Sequence, residues 1–340
     1  MRAAIFHGSG RPLEVTEVDL PLPGLGEVVV EVAACGLCHT DLHYLDHGVP
    51  TFKDPPLILG HEAAGKIAEI GAEVSGWQEG DRVLVPSVLS CGRCCYCRQG
   101  RENLCENLVM LGNNVDGAYA EYVAVPAVEL VRVPEEISLQ QAAVIADAVS
   151  TPYHAVKHRG RVRPGDRVAV VGCGGVGLNA VQCATLAGGS VIAVDLNEER
   201  LALARELGAR ETLNPQDVDR PDRRIRSLTD GGVDVAFEAI GSPDTIQLAF
   251  SFLRKGGRLC VIGYSRQPVT LSAARLMYYE LEIVGSLGCG AGEYPEIMEL
   301  VRTGRIQLDP IVSGSVPLEE VNEGLDRLRR GDGIRWVVTP

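Results

Sequence analysis

The chain has little of what a membrane or a nucleic acid would require of a partner. Lys and Arg number 32 against 45 Asp and Glu, leaving a net charge of −13 over 340 residues. A surface of that sign repels anionic lipid headgroups and phosphodiester backbones. Lysine is scarce, at positions 53, 66, 157 and 255 alone, which reads as a composition effect. No apolar run reaches the length of a membrane span, and the opening stretch MRAAIFHGSGRPLEVTEV lacks an apolar core of signal-peptide length. Internal repeats and low-complexity linkers are absent too. The expectation is a cytoplasmic protein with no nucleic-acid and no membrane partner.

What is present is cysteine. Eleven residues, an odd number, suit a reducing compartment in which thiols bind metal or fill cores, and do not suggest a disulfide framework. Cys91, Cys94, Cys97 and Cys105 stand at spacing C-x2-C-x2-C-x7-C. Four thiolates so close in sequence can close a tetrahedron around one zinc ion and leave no position open for a substrate, so such a site is structural. Similar knuckles occur in nucleic-acid-binding fingers, a reading the acidic charge disfavours. Cys95 falls inside the knuckle as a spare thiol. Cys35, Cys173, Cys183, Cys260 and Cys289 lie in apolar or Gly-rich contexts that suit core or turn positions.

With 46% apolar and 23% charged residues, a chain of this length holds two domains of ordinary size. Residues 1–35 read as strands, with VVVEVAAC a β-rich run after the turn PLPGLGE. From 36 to 147 the segments are short, Gly- and Pro-punctuated and β in character, as in KIAEIGAEV, RVLVPSV and AYAEYVAV. A helical pattern begins at SLQQAAVIADA, with Ser138 as N-cap. From RVAVVG (167–172) onward, strands alternate with helices. GLNAVQCATLAGG is a helix and SVIAVD a strand; NEERLALARELGA is a helix capped by Asn197 and stopped by Gly208. VDVAFEAIG, then SPDTIQLAFSFLRKGG started by Ser242 and Pro243, then RLCVIGY continue the pattern. The alternation predicts βαβ units and a parallel sheet, with LEIVGSLG (281–288) as its last strand. Two amphipathic helices around 293–303 and 317–330 and the strand IRWVVTP close the chain.

Gly172-Cys173-Gly174-Gly175-Val176-Gly177 opens a helix directly after a strand, the context in which a G-x-G-x-x-G turn binds a dinucleotide. Its glycines permit the tight turn and admit a pyrophosphate to the N–H groups of a helix N-terminus. Alone, such a turn is also a simple strand-to-helix connection. Asp195, eighteen residues past Gly177 at the end of the second strand, narrows the choice. A carboxylate there accepts hydrogen bonds from ribose hydroxyls and repels a 2′-phosphate, favouring NAD(H) over NADP(H). Arg200 lies near the adenine or is an exposed helix arginine; the sequence leaves both open.

A second metal-type cluster lies upstream. CGLCHTDLHYLDHG holds Cys38, His39, Thr40, Asp41, His43 and His47, and GHE adds His61 and Glu62. Four of the seven histidines in so short a stretch are hard to explain as packing, and thiolate with imidazole selects zinc. With CHTDLH, GHE, the four-cysteine lobe and the glycine turn in this order over its whole length, the chain resembles the zinc-dependent medium-chain alcohol dehydrogenase family.

The resemblance implies an α/β fold. A mainly β, GroES-like catalytic domain would occupy 1–147, with its zinc lobe at about 88–108; a Rossmann domain with a doubly wound parallel sheet would bind NAD over 148–290; and 291–340 would return to the catalytic domain. It implies two zinc ions. Cys38, His61 and Asp147 match the ligands of a catalytic zinc, many members having cysteine where this chain has Asp147, and Glu62 matches a residue that ligates when water or substrate leaves. Asp41 matches the carboxylate that orients the histidine ligand. Cys91, Cys94, Cys97 and Cys105 match the structural zinc site. Thr40 and His43 match a proton relay, His39 a contact to the cofactor pyrophosphate, and Thr151 a neighbour of the nicotinamide; Gly172, Gly174, Gly175, Val176, Gly177, Asp195 and Arg200 complete the cofactor site.

The implied reaction interconverts a small-molecule alcohol and its aldehyde or ketone with NAD(H), by hydride transfer from a zinc-bound alkoxide, in a homodimer or homotetramer. Ser87 stands four positions before the first lobe cysteine, where members often carry an aromatic residue. The pocket is therefore expected to take a bulky, cyclic or aromatic alcohol, unless Tyr44, Leu89, Met110 and Leu111 refill the space. Two alternatives stay open. One is a dehydrogenase of a cyclic hydroxyacyl-CoA, which needs a cationic groove, for which Arg159, Arg161 and Arg163 are the nearby cluster. The other is an NAD-binding zinc protein without catalysis, against which the intact pair Thr40 and His43 speaks. The zinc-free quinone reductases of the same superfamily are contradicted by the full ligand set.

Overall fold

The computed structural model describes residues 1–340, and the chain divides into two compact units. The first comprises Met1–Asp147, Cys289–Gly304 and Leu308–Pro340; the second comprises Ala148–Gly288 and Arg305–Gln307.

The first unit is built on a seven-stranded sheet. Its central strand, Glu27–Gly36, runs antiparallel to Glu62–Ile70 and Tyr122–Pro126, and its last residues also pair with Arg335–Thr339. Valines suit a pleated surface packed against a core, and Val28 and Val30 are fully buried. Register is what matters for the site. Gly36 stands opposite both Glu62 and Val337. The chain leaving the central strand therefore delivers Cys38 beside the start of the neighbouring strand, where His61 and Glu62 are. A Cβ at Gly36 would overlap the Glu62 carboxylate, so a larger residue there would displace it.

One expectation fails here. The stretch read as β in character contains a helix, His39–Leu45. Cys38 takes the N-cap position and its N–H donates to Asp41 at 3.1 Å, a capping interaction that turns the chain into a helix directly after the strand. Thr40 is the only β-branched residue in that helix, so little in it opposes the helical form.

Ser138 caps the helix Leu139–Val144 as expected, in a reciprocal box with Gln141. The helix then widens into a π-helical stretch, Ile145–Val149, before Ser150–His154 resumes the α form. Such a stretch inserts an extra residue into the helical path and re-aims the side chains on it. Asp147 is one of them.

The second unit holds six parallel strands in the order Glu211–Leu213, Ser190–Val194, Arg167–Val171, Val233–Glu238, Leu253–Val261, Glu282–Gly285. Val168, Ala169 and Val170 are fully buried, as the continuous apolar run of a sheet covered on both faces requires. The order reverses between Arg167–Val171 and Val233–Glu238, the kind of switch point at which open α/β sheets bind ligands. Asn197 and Ser242 cap their helices as expected. The helix read over 242–257 ends earlier, at Phe252, and a strand begins at Leu253. Gly256, at φ 71°, and Gly257 cannot continue a helix cheaply. Helices Pro221–Thr229 and Ala273–Tyr278 and the strand Val312–Pro317 are additions to the sequence pattern. No helix is long and apolar enough to cross a membrane.

Candidate active site

Cys38, His61, Glu62 and Asp147, all in the first unit, each bring one ligand-type atom to within 4.8 Å of the others. Cys38 Sγ lies 3.8 Å from Asp147 Oδ2, and His61 Nε2 lies 3.9 Å from the same oxygen. The side chains do not satisfy one another. His61 Nε2 and Glu62 Oε2 are buried without a hydrogen-bond partner, which costs about 1–3 kcal/mol for each such group. A cation among them removes that cost. One sulfur, one imidazole nitrogen and carboxylate oxygens form a donor set that fits zinc.

A ring of fixed partners surrounds the cluster. Asp41 Oδ1 is 3.6 Å from His61 Nδ1, while its Oδ2 accepts the Tyr119 hydroxyl at 2.7 Å. Burial alone would lower the His61 pKa; Asp41 and Cys38 outweigh it and hold the imidazole well above its ordinary value. Glu62 Oε1 is 3.0 Å from Nη1 of the buried Arg335, which also donates to the Leu37 carbonyl at 2.8 Å. Burial pushes the Glu62 carboxyl up to about 7, against the pull of Arg335.

The four lobe cysteines also bring their sulfurs within 4.8 Å of one another. Cys94 Sγ is 3.4 Å from Cys97 Sγ and 3.9 Å from Cys105 Sγ. A tetrahedron with Zn–S bonds of about 2.3 Å needs sulfur separations of about 3.8 Å, so the cage has the right size. None of the eleven cysteines is in a disulfide. The N–H groups of Cys91 and Asn107 donate to Cys105 Sγ at 3.2 and 3.3 Å. Backbone N–H donors, that of Arg93 first, lower the Cys91 thiol to about 6, and the Cys97 N–H lowers Cys94, whereas burial raises Cys105 to about 12. Cys95 lies outside the cage, exposed, with its thiol 3.6 Å from Glu106 Oε1.

In the second unit, the strand Arg167–Val171 ends at Gly172, whose φ of 95° favours glycine. A Cβ at Gly177 would overlap the Gly172 carbonyl oxygen, whereas a Cβ at Gly174 would meet nothing within 4 Å. That open space lies at the start of the helix Gly175–Leu186, which carries Val176 in its first turn, and it fits a pyrophosphate. Asp195 accepts from the Cys173 N–H at 2.6 Å and from the Asn197 N–H at 2.9 Å, which fixes its carboxylate beside the turn. Arg200 is in the first turn of the helix Glu198–Glu206, where its N–H donates to Asn197 at 3.1 Å. Thr151 is buried on Ser150–His154. Arg161, Arg163 and Arg258 line a concavity of about 210 Å³ at the opposite end of the strand Arg167–Val171 from the glycine turn, and Arg159 is bonded to the Gly285 carbonyl.

Residues 24–135 match the model of the alcohol dehydrogenase GroES-like domain, and residues 175–303 match that of the zinc-binding dehydrogenases. An alcohol dehydrogenase of Geobacillus stearothermophilus is 36% identical over 332 residues, 97% of each chain. The chain belongs to the zinc-dependent medium-chain alcohol dehydrogenase family. The crystal structure of the alcohol dehydrogenase from the archaeon Aeropyrum pernix matches it with a TM-score of 0.93 at 35% identity, over the whole of both chains. A solved NAD-dependent alcohol dehydrogenase matches with a TM-score of 0.93 at 33% identity, again over both whole chains. The expected family and its α/β architecture, a GroES-like part and a doubly wound parallel sheet, are borne out, and with them the family's zinc and nicotinamide dinucleotide cofactors.

In this family member the short helix after Cys38 carries the other expected residues. His39 is its exposed first residue. Thr40 Oγ1 lies 3.6 Å from Cys38 Sγ, and His43 is half-buried with its Nδ1 3.1 Å from His47 Nδ1. Sequence reasoning missed Tyr119 and Arg335. The first reaches Asp41 from 78 positions away and the second reaches Leu37 from 298. The only sequence signal for Arg335 is a charge opening an otherwise apolar strand.

Proposed function

We propose that the chain is an NAD-dependent zinc alcohol dehydrogenase that acts on a bulky, cyclic or aromatic alcohol. The observation that carries the reading is the quartet Cys38, His61, Glu62 and Asp147, in which His61 Nε2 is buried without a hydrogen-bond partner. Cys38, His61 and Asp147 would hold the metal, with Glu62, tethered by Arg335, as the ligand in reserve; the four lobe cysteines would hold the second ion. When bound, zinc lowers the pKa of a hydroxyl beside it and NAD accepts the hydride. Asp41, itself fixed by Tyr119 and the Cys38 N–H, orients His61 through Nδ1. Thr40 Oγ1 takes up the substrate proton as it hands on its own, and a ring nitrogen of His43 receives that proton on its way to solvent. His39 and Thr151 serve as cofactor contacts, and the Asp195 carboxylate favours NAD over NADP.

The small side chain of Ser87 supports a roomy pocket. Tyr44, Leu89 and Leu111 are committed to the first unit's core, and the Tyr44 hydroxyl accepts from Asn113 at 2.6 Å. Eleven free cysteines suit the cytoplasm. A homodimer or homotetramer is supported by the edge strand Glu282–Gly285, unpaired on one side, with Ile283, Leu287, Met277 and Tyr278 exposed near it in sequence.

The test is to mix the zinc-loaded protein with NAD+ and a panel of primary, secondary, cyclic and CoA-linked alcohols and follow NADH absorbance. NADH should form fastest with bulky or cyclic alcohols, stop on chelation and return with zinc. NADH binding without formation from any alcohol would instead establish a non-catalytic binder.

A further inference from the structure

His43 does not end in open solvent on its Nδ1 side. That nitrogen is 3.1 Å from Nδ1 of His47, with the ring centroids 5.3 Å apart and the planes tilted by 45°. A nitrogen–nitrogen separation of that length is a hydrogen bond, so one proton lies between the rings. The arrangement is built rather than incidental. A spacing of four puts both residues on one side of the helix end. The turn after the helix is fixed by the Asp46 N–H donating to the Leu42 carbonyl at 2.8 Å and the Val49 N–H donating to the His43 carbonyl at 3.0 Å. His43 is half-buried, while His47, one residue past the C-cap, is exposed.

We propose that His47 is the outlet of the proton path, receiving a proton from His43 and passing it to water or to a buffer base. The inference rests on the relay reading of Thr40 and His43. The step balances. As His43 gains a proton on Nε2, its Nδ1–H bond breaks and an N–H bond forms at His47 Nδ1; His47 then loses the proton on its outward Nε2. One proton enters, one leaves, and no electrons move. The pair regains its starting tautomers by exchange with solvent between turnovers.

The electrostatics suit transfer rather than storage. Burial first, and then the neighbouring His47, hold the His43 pKa below its ordinary value, with Asp41 opposing. Among other charges nearby, Asp46 on the same segment is tied by both carboxylate oxygens to Arg329, on the helix Val321–Arg330, and Arg329 also reaches Asp326. The loop bonded to Leu45 at Ser9 and Gly10 carries Arg11 and His7, the latter paired with Glu14. His47 acts through His43, so it is a positioning and proton-accepting residue rather than a catalytic one.

The experiment is rapid mixing of the zinc-loaded enzyme with NAD+ and alcohol, following first-turnover proton release with an indicator dye below neutral pH. His47→Gln keeps a hydrogen-bond acceptor but cannot carry a proton; His47→Ala removes both. Both variants should release the proton roughly tenfold more slowly in weak buffer, recover in concentrated imidazole, and leave the KM for NAD+ and the melting temperature unchanged. Wild-type behaviour of His47→Gln beside a slow His47→Ala would overturn the proposal, leaving only an orienting hydrogen bond, and so would wild-type behaviour of both. An unchanged rate in His43→Gln would instead remove the relay on which the proposal stands.

Discussion

The four-cysteine lobe and the buried cluster around Cys38 use the same thiolate chemistry in opposite ways. The lobe gathers its sulfurs within fifteen residues, 91 to 105, on short turns, and backbone N–H groups lower two of its thiols. The buried cluster draws Cys38 and Asp147 together across 109 positions and relies on the sheet register that sets Gly36 against Glu62. Its tuning comes from side chains: Asp41 held by Tyr119, and Glu62 held by Arg335. A local cage of identical ligands can be assembled by loops, and all it can do is hold those loops. A cluster built from distant elements can mix ligand types and surround them with groups that set orientation and charge. Losing the first should cost stability, and losing the second should cost chemistry.

The widest separation comes from paired ligand deletions. Cys38→Ala should lose one of two zinc ions and on the order of 10³-fold in kcat/KM, while its melting temperature stays near that of the parent. Metal analysis beside steady-state kinetics checks this. Cys91→Ala should also lose one zinc, but its main effect should be a melting temperature lower by about 10 °C or more, read by calorimetry. If the two variants fail in the same way, the division of labour is wrong. Tyr119→Phe sharpens the contrast on a smaller scale. Without the hydroxyl on Asp41, zinc affinity at the buried cluster should fall about tenfold, measured by competition with a chelator, with the lobe unaffected. The smallest effect belongs to Cys95→Ser. That thiol is exposed and outside the cage, so stability should change by no more than about 0.5 kcal/mol and zinc content not at all.

The same contrast explains what could be read from the sequence. The lobe cysteines, GHE and Gly172–Gly177 are local patterns, and their spacing alone carries their meaning. The strand and helix alternation after 167 was legible for the same reason, down to the caps at Asn197 and Ser242, as was the earlier cap at Ser138. The helix at His39–Leu45 was not, because its start depends on Asp41 capping a cysteine at a strand end rather than on an apolar period. Nor was the π-helical turn that carries Asp147, since the stretch reads as ordinary helix. Tyr119 reaches the site through backbone bonds to Leu59 and Ala4, and Arg335 through sheet register, and no window of sequence contains either.

If two chemically different zinc sites share one unit of this chain, the buried one must keep its metal when the lobe is lost. X-ray absorption at the zinc edge of the Cys91→Ala protein tests it most directly, because the lobe can then no longer close. The expected result is zinc in a shell of one sulfur with nitrogen and oxygen ligands, from Cys38, His61 and Asp147. An all-sulfur shell, or no zinc in a protein that remains folded, would contradict it.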